Sequence, residues 1–401
     1  MTDRLDPQPW MTAAPTRAVM DALEAAGGSD CARFVGGCVR DTLVGRPVAD
    51  IDIATRLTPE ATLAALKAGG LGAVPTGVAY GTVTAIADHR PFEITTLRRD
   101  VETDGRRAVV AFTIDWAEDA ARRDFRLNAV YLDRQGRLYD PVGGGVEDAH
   151  AGRIVFVGDA ETRIREDYLR VLRFFRFTAW YGRGEPDAAG LAACAALKQG
   201  TAGLSGERVS KELLRLLAAP DPRAAVGLMA GAGVLAVVLP VLLRIGRFEA
   251  MVPIDPDPER RLSALLPDDP ETVLAAAERL RLSNALRDRL LLAAAAGPDL
   301  SISDAEARAA LYREGAAFGD RVMKRWAEQP GAEADARRLL ALSRDWPPPR
   351  FPLTGKDIAS LGVPVGPEVG RRLREAEAWW VAQDFVPDRA TLLAWIEAGA
   401  R

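Results

Sequence analysis

A glycine turn followed closely by two aspartates, within residues 33–55, constrains this chain more than any other stretch. Residues 33–35 have β character, and Gly36 and Gly37 can adopt backbone angles that other residues avoid. Residues 39–43 are typical of a short helix. We therefore predict a strand, a tight turn and a helix N-terminus that can hold an anion such as phosphate.

Two aspartates follow this turn, in the run Asp50-Ile51-Asp52-Ile53. Because side chains alternate along a strand, we expect Asp50 and Asp52 to share one face while the isoleucines enter the core. Arg40, on the short helix, adds a guanidinium group that can donate two parallel hydrogen bonds to the same anion. Two carboxylates beside a phosphate site are what a pair of Mg²⁺ ions needs for nucleotidyl transfer. A Rossmann dinucleotide-binding site is excluded. The third glycine of its G-x-G-x-x-G motif is missing, and the two aspartates follow the turn sooner than the roughly 20 residues that this motif requires.

Composition narrows the class of protein. A chain of 401 residues, 48% of them hydrophobic, predicts a globular protein of two or more domains. Cys31, Cys38 and Cys194 form no C-x-x-C pair, which favours a reducing compartment and argues against zinc. The first residues lack the apolar core of a secretory signal, so we expect a cytoplasmic protein.

The order of helical and strand-like segments predicts an α+β fold with a mixed-sheet head and an all-α remainder. Strand-like runs at 81–87 and 92–97 follow a helix with Thr58 as its N-cap. Residues 99–115 are polar and broken by glycine, and we expect them to form a mobile loop beside the site. Beyond residue 157 the chain has helical spacing only. The predicted segments are a head at 1–157, a neck at 158–220 and a body and tail at 221–401.

The uncharged stretch 224–243 is long enough to span a bilayer. It contains Gly227, Gly231, Gly233 and Pro240, and charged amphipathic segments flank it. We therefore predict two buried helices joined at the glycines, and no membrane association.

The glycine turn and the aspartate pair resemble the start of the class II tRNA nucleotidyltransferase and bacterial poly(A) polymerase family. A second motif, residues 121–129 (ARRDFRLNA), resembles the family's RRDFTxNA, with Arg126 where threonine is usual. The resemblance implies that Gly37 and Arg40 bind the nucleotide, as does Arg123, while Asp124 and Asn128 contact the ribose. From the residues alone, the arginine–aspartate run could equally be a surface ion-pair network.

Residues 163–177 (RIREDYLRVLRFFRF) place an acid and three arginines along one helical face. Taken alone, this pattern favours a helix crossed by ion pairs. It resembles the family's EDxxRxxRxxRF motif, which implies that Asp167 and Arg170 read the incoming base, with Glu166 holding Arg170. One carboxylate and one guanidinium match the amino donor and ring-nitrogen acceptor that cytosine and adenine share. Arg173 and Arg176 would face phosphates.

The remaining motifs are weaker. Residues 139–148 resemble the family's DPxGGxxDL hinge, and residues 206–212 resemble its ERxxxE motif on the neck helix. The glycine-rich helix starts near Leu353–Asp357 and at 362–370 could hold RNA phosphates or simply cap helices. Glu93 is either a third carboxylate of the site or an exposed strand position.

The resemblance implies an enzyme that adds CCA to tRNA 3′ ends from CTP and ATP, with Mg²⁺ on Asp50 and Asp52. Poly(A) synthesis and addition of CC or A alone are the alternatives within the family. A tRNA-binding protein without catalysis is less consistent with two intact aspartates. No protein partner can be inferred. The formal charge of −4 requires the basic groups, such as Arg122, Arg123 and Arg126, to cluster in a positive cleft.

Overall fold

The structure, a computed structural model, describes residues 4–104, 107–364 and 366–398. The chain divides into two compact units, Met1–Pro240 and Val241–Arg401. All strands of the described chain lie in the first unit, which confirms the predicted α+β class with a mixed-sheet head followed by helices. The three-part division at residues 157 and 220 remains a prediction.

The head alternates helices and strands. The elements predicted within residues 33–55, the helix after Thr58 and the strands at 81–87 and 92–97 appear in the predicted order, whereas the other strands of the head were not predicted. Its elements are α1 (Pro9–Thr12), α2 (Ala14–Gly27), β1 (Ala32–Val35), α3 (Gly37–Leu43), β2 (Asp52–Thr55), α4 (Pro59–Ala68), β3 (Gly72–Gly77), β4 (Thr82–Ala87), β5 (Arg90–Thr96), β6 (Arg98–Asp104), β7 (Arg107–Phe112), α5 (Trp116–Ala121), β8 (Tyr131–Leu132), β9 (Leu138–Tyr139) and α6 (Gly145–Ala151).

Seven strands form one sheet in the order β3-β4-β5-β2-β1-β8-β9. The pair β2–β5 is parallel and the other pairs are antiparallel, so the sheet is mixed. A two-residue turn joins β4 to β5, and Asp88 and His89 both have positive φ there, as a tight hairpin requires. Thr58 caps α4 by accepting a hydrogen bond from the backbone N–H of Ala61, as predicted.

The structure has two paired strands where we expected a mobile loop, at residues 99–115. Strands β6 and β7 pair antiparallel as a separate two-stranded sheet. The expectation of a loop rested on the polar residues at the start of this stretch, whereas β7 (RAVVAF) contains the β-branched and aromatic residues that favour strands. Residues 105–106, at the tip of the predicted loop, lie outside the described residues.

Helices alone follow the head in the first unit. They are α7 (Ala160–Glu166), α8 (Leu169–Tyr181), α9 (Ala188–Ala196), α10 (Gly206–Leu217), α11 (Arg223–Gly231) and α12 (Val234–Val238), with a 3₁₀ segment, here called the neck turn, at Lys198–Gly203. The uncharged stretch forms α11 and α12, joined at Gly233 with φ +72°, as predicted. In the part of the chain that the structure describes, no helix has the length and apolar character needed to cross a bilayer.

The second unit is helical throughout its described residues. Its helices are α13 (Ile245–Met251), α14 (Pro258–Leu265), α15 (Pro270–Arg279), α16 (Asn284–Leu292), α17 (Asp304–Glu314), α18 (Ala316–Glu328), α19 (Glu333–Asp345), α20 (Gly355–Ser360), α21 (Pro367–Ala382) and α22 (Arg389–Ala398). Phe318, Val322 and Leu339 lie in one core, and Ile358 and Trp380 lie in another. Thr354 and Asp357 form a capping box at α20, which accounts for that motif by helix capping.

An aromatic cluster packs α8 against the head. The rings of Phe156 and Phe174 stack with centroids 5.8 Å apart, and those of Phe125 and Phe177 lie 5.0 Å apart. All four side chains are buried. This packing fixes the position of α8 relative to the sheet that carries the aspartates.

Candidate nucleotide-binding and catalytic site

The glycine turn brings a carboxylate and a guanidinium together. Gly36 has φ +72°, a left-handed conformation that favours glycine, and it connects β1 to α3. A Cβ atom at Gly36 would lie 3.5 Å from Oδ2 of Asp52 and 3.8 Å from Nη1 of Arg123. A Cβ there would be in ordinary van der Waals contact with both groups, so the turn lies between a negative and a positive side chain. Gly37, the other predicted glycine, is the first residue of α3.

The aspartate pair differs from the prediction in one respect. Strand β2 begins at Asp52, so Asp50 lies before the strand and is exposed, while Ile51 is only half-buried. The strand is shorter than the run suggested because β1, its antiparallel neighbour, ends at Val35 and pairs no further than Asp52. Asp50 is nevertheless close enough to raise the pKa of Asp52.

Glu93 is the residue paired with Asp52 across the parallel strands β2 and β5. Paired residues point to the same face of a sheet, so the two carboxylates lie side by side. Burial raises the pKa of Asp52 to about 6, and Glu93 and Asp50 add to the rise, while Arg123 and Arg40 oppose it. Glu93 is an exposed strand position, which was one of its two interpretations. It also lies beside Asp52 of the predicted site.

The carboxylates of Asp50, Asp52 and Glu93 fit a divalent cation whose other ligands are oxygens of the substrate. Among the described residues, no group of three acidic, histidine or cysteine side chains could hold a metal ion on its own. Asp50, Asp52 and Glu93 nonetheless raise the local negative charge, which a cation would neutralise. Mg²⁺ is commonly held by one or two carboxylates together with substrate phosphates and water.

Arg123 is held by groups that sequence reasoning missed. Its Nη2 donates to Oδ2 of Asp119 at 3.0 Å, and the hydroxyl of Tyr131 donates to the same oxygen at 2.7 Å. Burial would raise the pKa of Asp119, but Arg123 and Arg122 outweigh it and lower the pKa to about 2. The spacing of Asp119 and Arg123 along a helix is the signal that could have revealed this pair.

Arg40 connects the short helix to two other elements. Its Nη1 donates to Oδ1 of Asn128 at 2.9 Å, and its Nη2 donates to the hydroxyl of Tyr181 at 2.6 Å. The guanidinium also lies over the Tyr181 ring, 4.1 Å from the centroid. Its role as a phosphate donor stays a prediction, because the structure shows it bound to protein groups.

Asp124 and Asn128, the predicted ribose contacts, continue this network. The Nδ2 of Asn128 donates to Oδ1 of Asp124 at 3.0 Å, and the Nε of Arg173 donates to Oδ2 of Asp124 at 2.8 Å. Burial would raise the pKa of Asp124, but Arg173 and these hydrogen bonds lower it to about 2. A chain of hydrogen bonds therefore runs from α8 through Asp124 and Asn128 to Arg40 on α3.

The two predicted base-reading residues lie together at the start of α8. Asp167 is extended (φ −155°, ψ 106°) between α7 and α8, and it accepts a hydrogen bond from Nη2 of Arg208 at 2.7 Å. The Nη1 of Arg170 donates to Oε2 of Glu166 at 2.5 Å, which agrees with the predicted role of Glu166. Its Nη2 donates to the carbonyl oxygen of Arg122 at 3.2 Å, beside the second motif.

Arg173 and Arg176 are paired with acids. Arg173 binds Asp124, and the Nε of Arg176 donates to Oε2 of Glu212 at 2.6 Å. Their predicted contact with phosphates remains a prediction. Arg208 and Glu212 belong to the ERxxxE motif, and both tie α10 to the start and middle of α8. The four-residue spacing of Arg208 and Glu212 was the available signal, but it could not identify their partners.

Comparison with known proteins decides the family. Residues 32–155 match the Poly A polymerase head domain, and residues 186–245 match a probable RNA and SrmB-binding site of polymerase A. A zebrafish (Danio rerio) protein named CCA tRNA nucleotidyltransferase 1, mitochondrial, is 34% identical to this chain. The match covers 90% of this chain and 86% of that protein. The chain belongs to the CCA tRNA nucleotidyltransferase family.

Two further CCA enzymes extend the comparison. The human protein of the same name is 32% identical over 91% of this chain and 86% of its own length. The crystal structure of the Bacillus stearothermophilus CCA-adding enzyme in complex with CTP superimposes with a TM-score of 0.76 and 25% identity, over 97% of this chain and 98% of that one. Family membership implies a nucleotidyltransferase that uses a divalent metal ion.

Proposed function

We propose that this protein adds cytidine, cytidine and adenosine to the 3′ end of tRNA, using CTP and ATP and releasing pyrophosphate. The observation that carries the proposal is the convergence of Asp52 and Arg123 on the turn at Gly36. A carboxylate for a metal ion and a guanidinium for phosphate both lie beside this glycine turn. The vertebrate and bacterial relatives named for CCA addition support the same reaction.

Asp50 and Asp52 are the residues we assign to Mg²⁺, with Glu93 as a neighbouring third carboxylate. When bound, the metal ions supply charge neutralisation at the phosphates and activation of the RNA 3′-hydroxyl. Burial and the neighbouring carboxylates of Glu93 and Asp50 raise the pKa of Asp52, so a bound cation would favour the ionised form of this cluster.

The sheet order suggests the direction from which each substrate approaches. Asp52 lies on β2, between β1 with its glycine turn and β5 with Glu93. Arg123 lies over the ring of Tyr131 on β8, so the triphosphate belongs on the β1 side. Because attacking and leaving oxygens are in line in phosphoryl transfer, the RNA 3′-hydroxyl enters from the β5 side.

Asp167 and Arg170 provide the selectivity for bases. Asp167 accepts from the exocyclic amino group of cytosine or adenine, and Arg170 donates to the adjacent ring nitrogen. Uracil and guanine reverse this pattern and would leave both protein groups unpaired, at about 1–3 kcal/mol each. Arg173 and Arg176 support the helix that carries Arg170 through their ion pairs with Asp124 and Glu212. The helices at 221–401 are assigned to RNA binding.

An incorporation assay tests the proposal. The purified protein is incubated with Mg²⁺, labelled CTP and ATP, and a tRNA that lacks its 3′ end. Two cytidines, one adenosine and a stop are the expected product, whereas a long adenosine ladder would indicate poly(A) synthesis. Asp52→Asn should abolish incorporation while tRNA binding is retained, and full activity in this variant would refute the metal assignment.

We further propose a cytoplasmic location, which the three free and buried cysteines support because they fit a reducing compartment. The vertebrate relatives carry mitochondrial names. Subcellular fractionation of the native protein distinguishes the two compartments.

A further inference from the structure

Asp167 is the least constrained part of the predicted base-reading pair. It lies between α7 and α8 with an extended backbone, and its carbonyl oxygen accepts from the backbone N–H of Arg170 at 3.0 Å, so the start of α8 holds its main chain. Its Oδ1 accepts from the backbone N–H of Leu169 at 3.1 Å. Its ion pair with Arg208 has side chains 29% and 35% exposed, so water weakens this attraction. Something stiffer than an exposed ion pair must locate the carboxylate.

The next residue, Tyr168, packs against a glycine on a separate element. A Cβ atom at Gly200, in the neck turn, would lie 2.5 Å from Cγ of Tyr168 and would overlap Cδ1 and Cε1 of the ring. The φ angle of Gly200 is outside the left-handed region. Steric room, and not backbone geometry, is therefore the reason for glycine at this position.

The neck turn is a firm support for the ring. Thr201 is fully buried, and its hydroxyl donates to the carbonyl oxygen of Lys198 at 2.7 Å. The Nζ of Lys198 donates to the carbonyl oxygen of Ala195 at 3.0 Å, which ties the turn to the end of α9. The stem of Lys198 also lies against Gly233, at the start of α12. A ring that fits this turn is therefore held relative to α9 and α12.

We propose that the contact between Tyr168 and Gly200 is a positioning device that sets Asp167 for the pairing edge of the incoming base. It thereby contributes to the selection of cytosine and adenine over uracil and guanine. The inference rests on the proposed function, since it requires Asp167 to read the base. Tyr168 and Gly200 act through Asp167 and are positioning residues.

The test compares Gly200→Ala with Gly203→Ala, a control in the same turn where an added Cβ meets nothing within 4 Å. Steady-state kinetics with CTP and UTP on a tRNA that lacks its 3′ end give the selectivity. Gly200→Ala should raise the KM for CTP and lower the CTP-over-UTP ratio of kcat/KM about tenfold, the size of one lost hydrogen bond. Gly203→Ala should match the unmodified protein.

A second variant keeps the test independent of folding. Tyr168→Ala removes the whole ring, including Cγ, without adding bulk and should also lower CTP-over-UTP selectivity. The double variant Gly200→Ala/Tyr168→Ala should equal Tyr168→Ala alone, because the added methyl no longer meets any atom of the ring. A purely structural role would reduce the active fraction, and so kcat, with KM and selectivity unchanged.

The two proposals fail in different ways. If the unmodified protein incorporates neither nucleotide into tRNA, the proposed function is wrong. If it incorporates both while Tyr168→Ala keeps the original KM and selectivity, the positioning role is refuted. Additive effects in the double variant would also refute it.

Discussion

Each arginine of the site has a fixed protein partner that orients its guanidinium. Arg123 is bound by Asp119, Arg173 by Asp124, and Arg170 by Glu166 and by a backbone carbonyl. A guanidinium has five donors, so one acid leaves several of them for a ligand. The partners therefore orient the arginines in advance, and each acid also neutralises part of the positive charge of its arginine.

Asp52→Asn should stabilise the metal-free protein at pH 8. The folded-state pKa of about 6 exceeds the ordinary value of 3.8, so stability is lost as pH rises from about 4 to about 6. Removing the charge should raise the free energy of unfolding by about 1–3 kcal/mol at pH 8 and leave it unchanged near pH 3.5. Urea unfolding in EDTA at both pH values measures this.

The exposed residue Asp6 supplies the control, since Asp6→Asn should change neither value. An Asp52→Asn variant no more stable than the original at pH 8 would show that the carboxylate cluster is not strained.

Asp124→Asn should destabilise the protein by about 3 kcal/mol at pH 7, because it leaves Arg173 without its charged partner. The pKa of Asp124 is lowered to about 2, so its contribution is present above about pH 4 and is lost as pH falls through about 2. Chemical unfolding at pH 7 and pH 3 measures the loss.

The matched control is Glu161→Gln, which breaks the pair with Arg165, whose side chains are 47% and 55% exposed. It should cost less than about 0.5 kcal/mol. Equal losses at the two sites would show that burial does not strengthen the pair at Asp124.

Helix α8 has contacts with elements on three sides. Phe174 and Phe177 pack against the head, Arg173 binds Asp124 beside the second motif, and Arg176 binds Glu212 on α10. Polar and apolar contacts therefore fix the same helix. The base-reading residues at its start inherit this fixed position, apart from Asp167 at the junction with α7.

Glu212→Gln should loosen the contact between α8 and α10. Glu212 is 5% exposed and Arg176 is 14% exposed. Burial lowers the pKa of Arg176 and Arg173 adds to the fall, while Glu212 opposes it. Loss of the acid leaves two neighbouring arginines uncompensated, so unfolding should become easier by about 2–4 kcal/mol. Thermal and urea unfolding measure it.

Lys211→Met, at the neighbouring exposed position of α10, is the control and should have little effect. If Glu212→Gln is as stable as Lys211→Met, α10 is held by its apolar face alone.

At the scale of the whole molecule, the predicted site and the second unit are separate in sequence. Every predicted catalytic and nucleotide-binding residue lies within Met1–Pro240. Val241–Arg401 has its own cores and a buried ion-pair group of Arg247, Asp268 and Lys324.

The segment 241–401, expressed alone, should therefore fold and unfold cooperatively, as measured by circular dichroism during urea titration. The segment 1–240 should bind CTP in equilibrium dialysis. A disordered 241–401 segment would show that its cores need the first unit, and limited proteolysis of the full chain would then find no cut near residue 240.

Local features were predictable because their causes lie close together in the chain. The turn at Gly36, the cap at Thr58, the division of 224–243 at its glycines and the α+β class follow from backbone preferences and spacing. The ion pair of Glu166 and Arg170 was partly visible, since the two residues are four positions apart in sequence. Strands β6 and β7 were not predicted, because the polar residues at the start of this stretch favour a loop, although β7 contains Val109, Val110 and Phe112.

The sequence by itself determined the residue types of the site, the order of its elements and the family. Only the tertiary structure decided that Asp50 lies outside the strand, that Glu93 adjoins Asp52, and that Tyr168 fits against Gly200. The physical reason is distance along the chain. Sheet register, burial and the fit of a ring against a glycine depend on segments far apart in sequence, and no local preference encodes which of them meet.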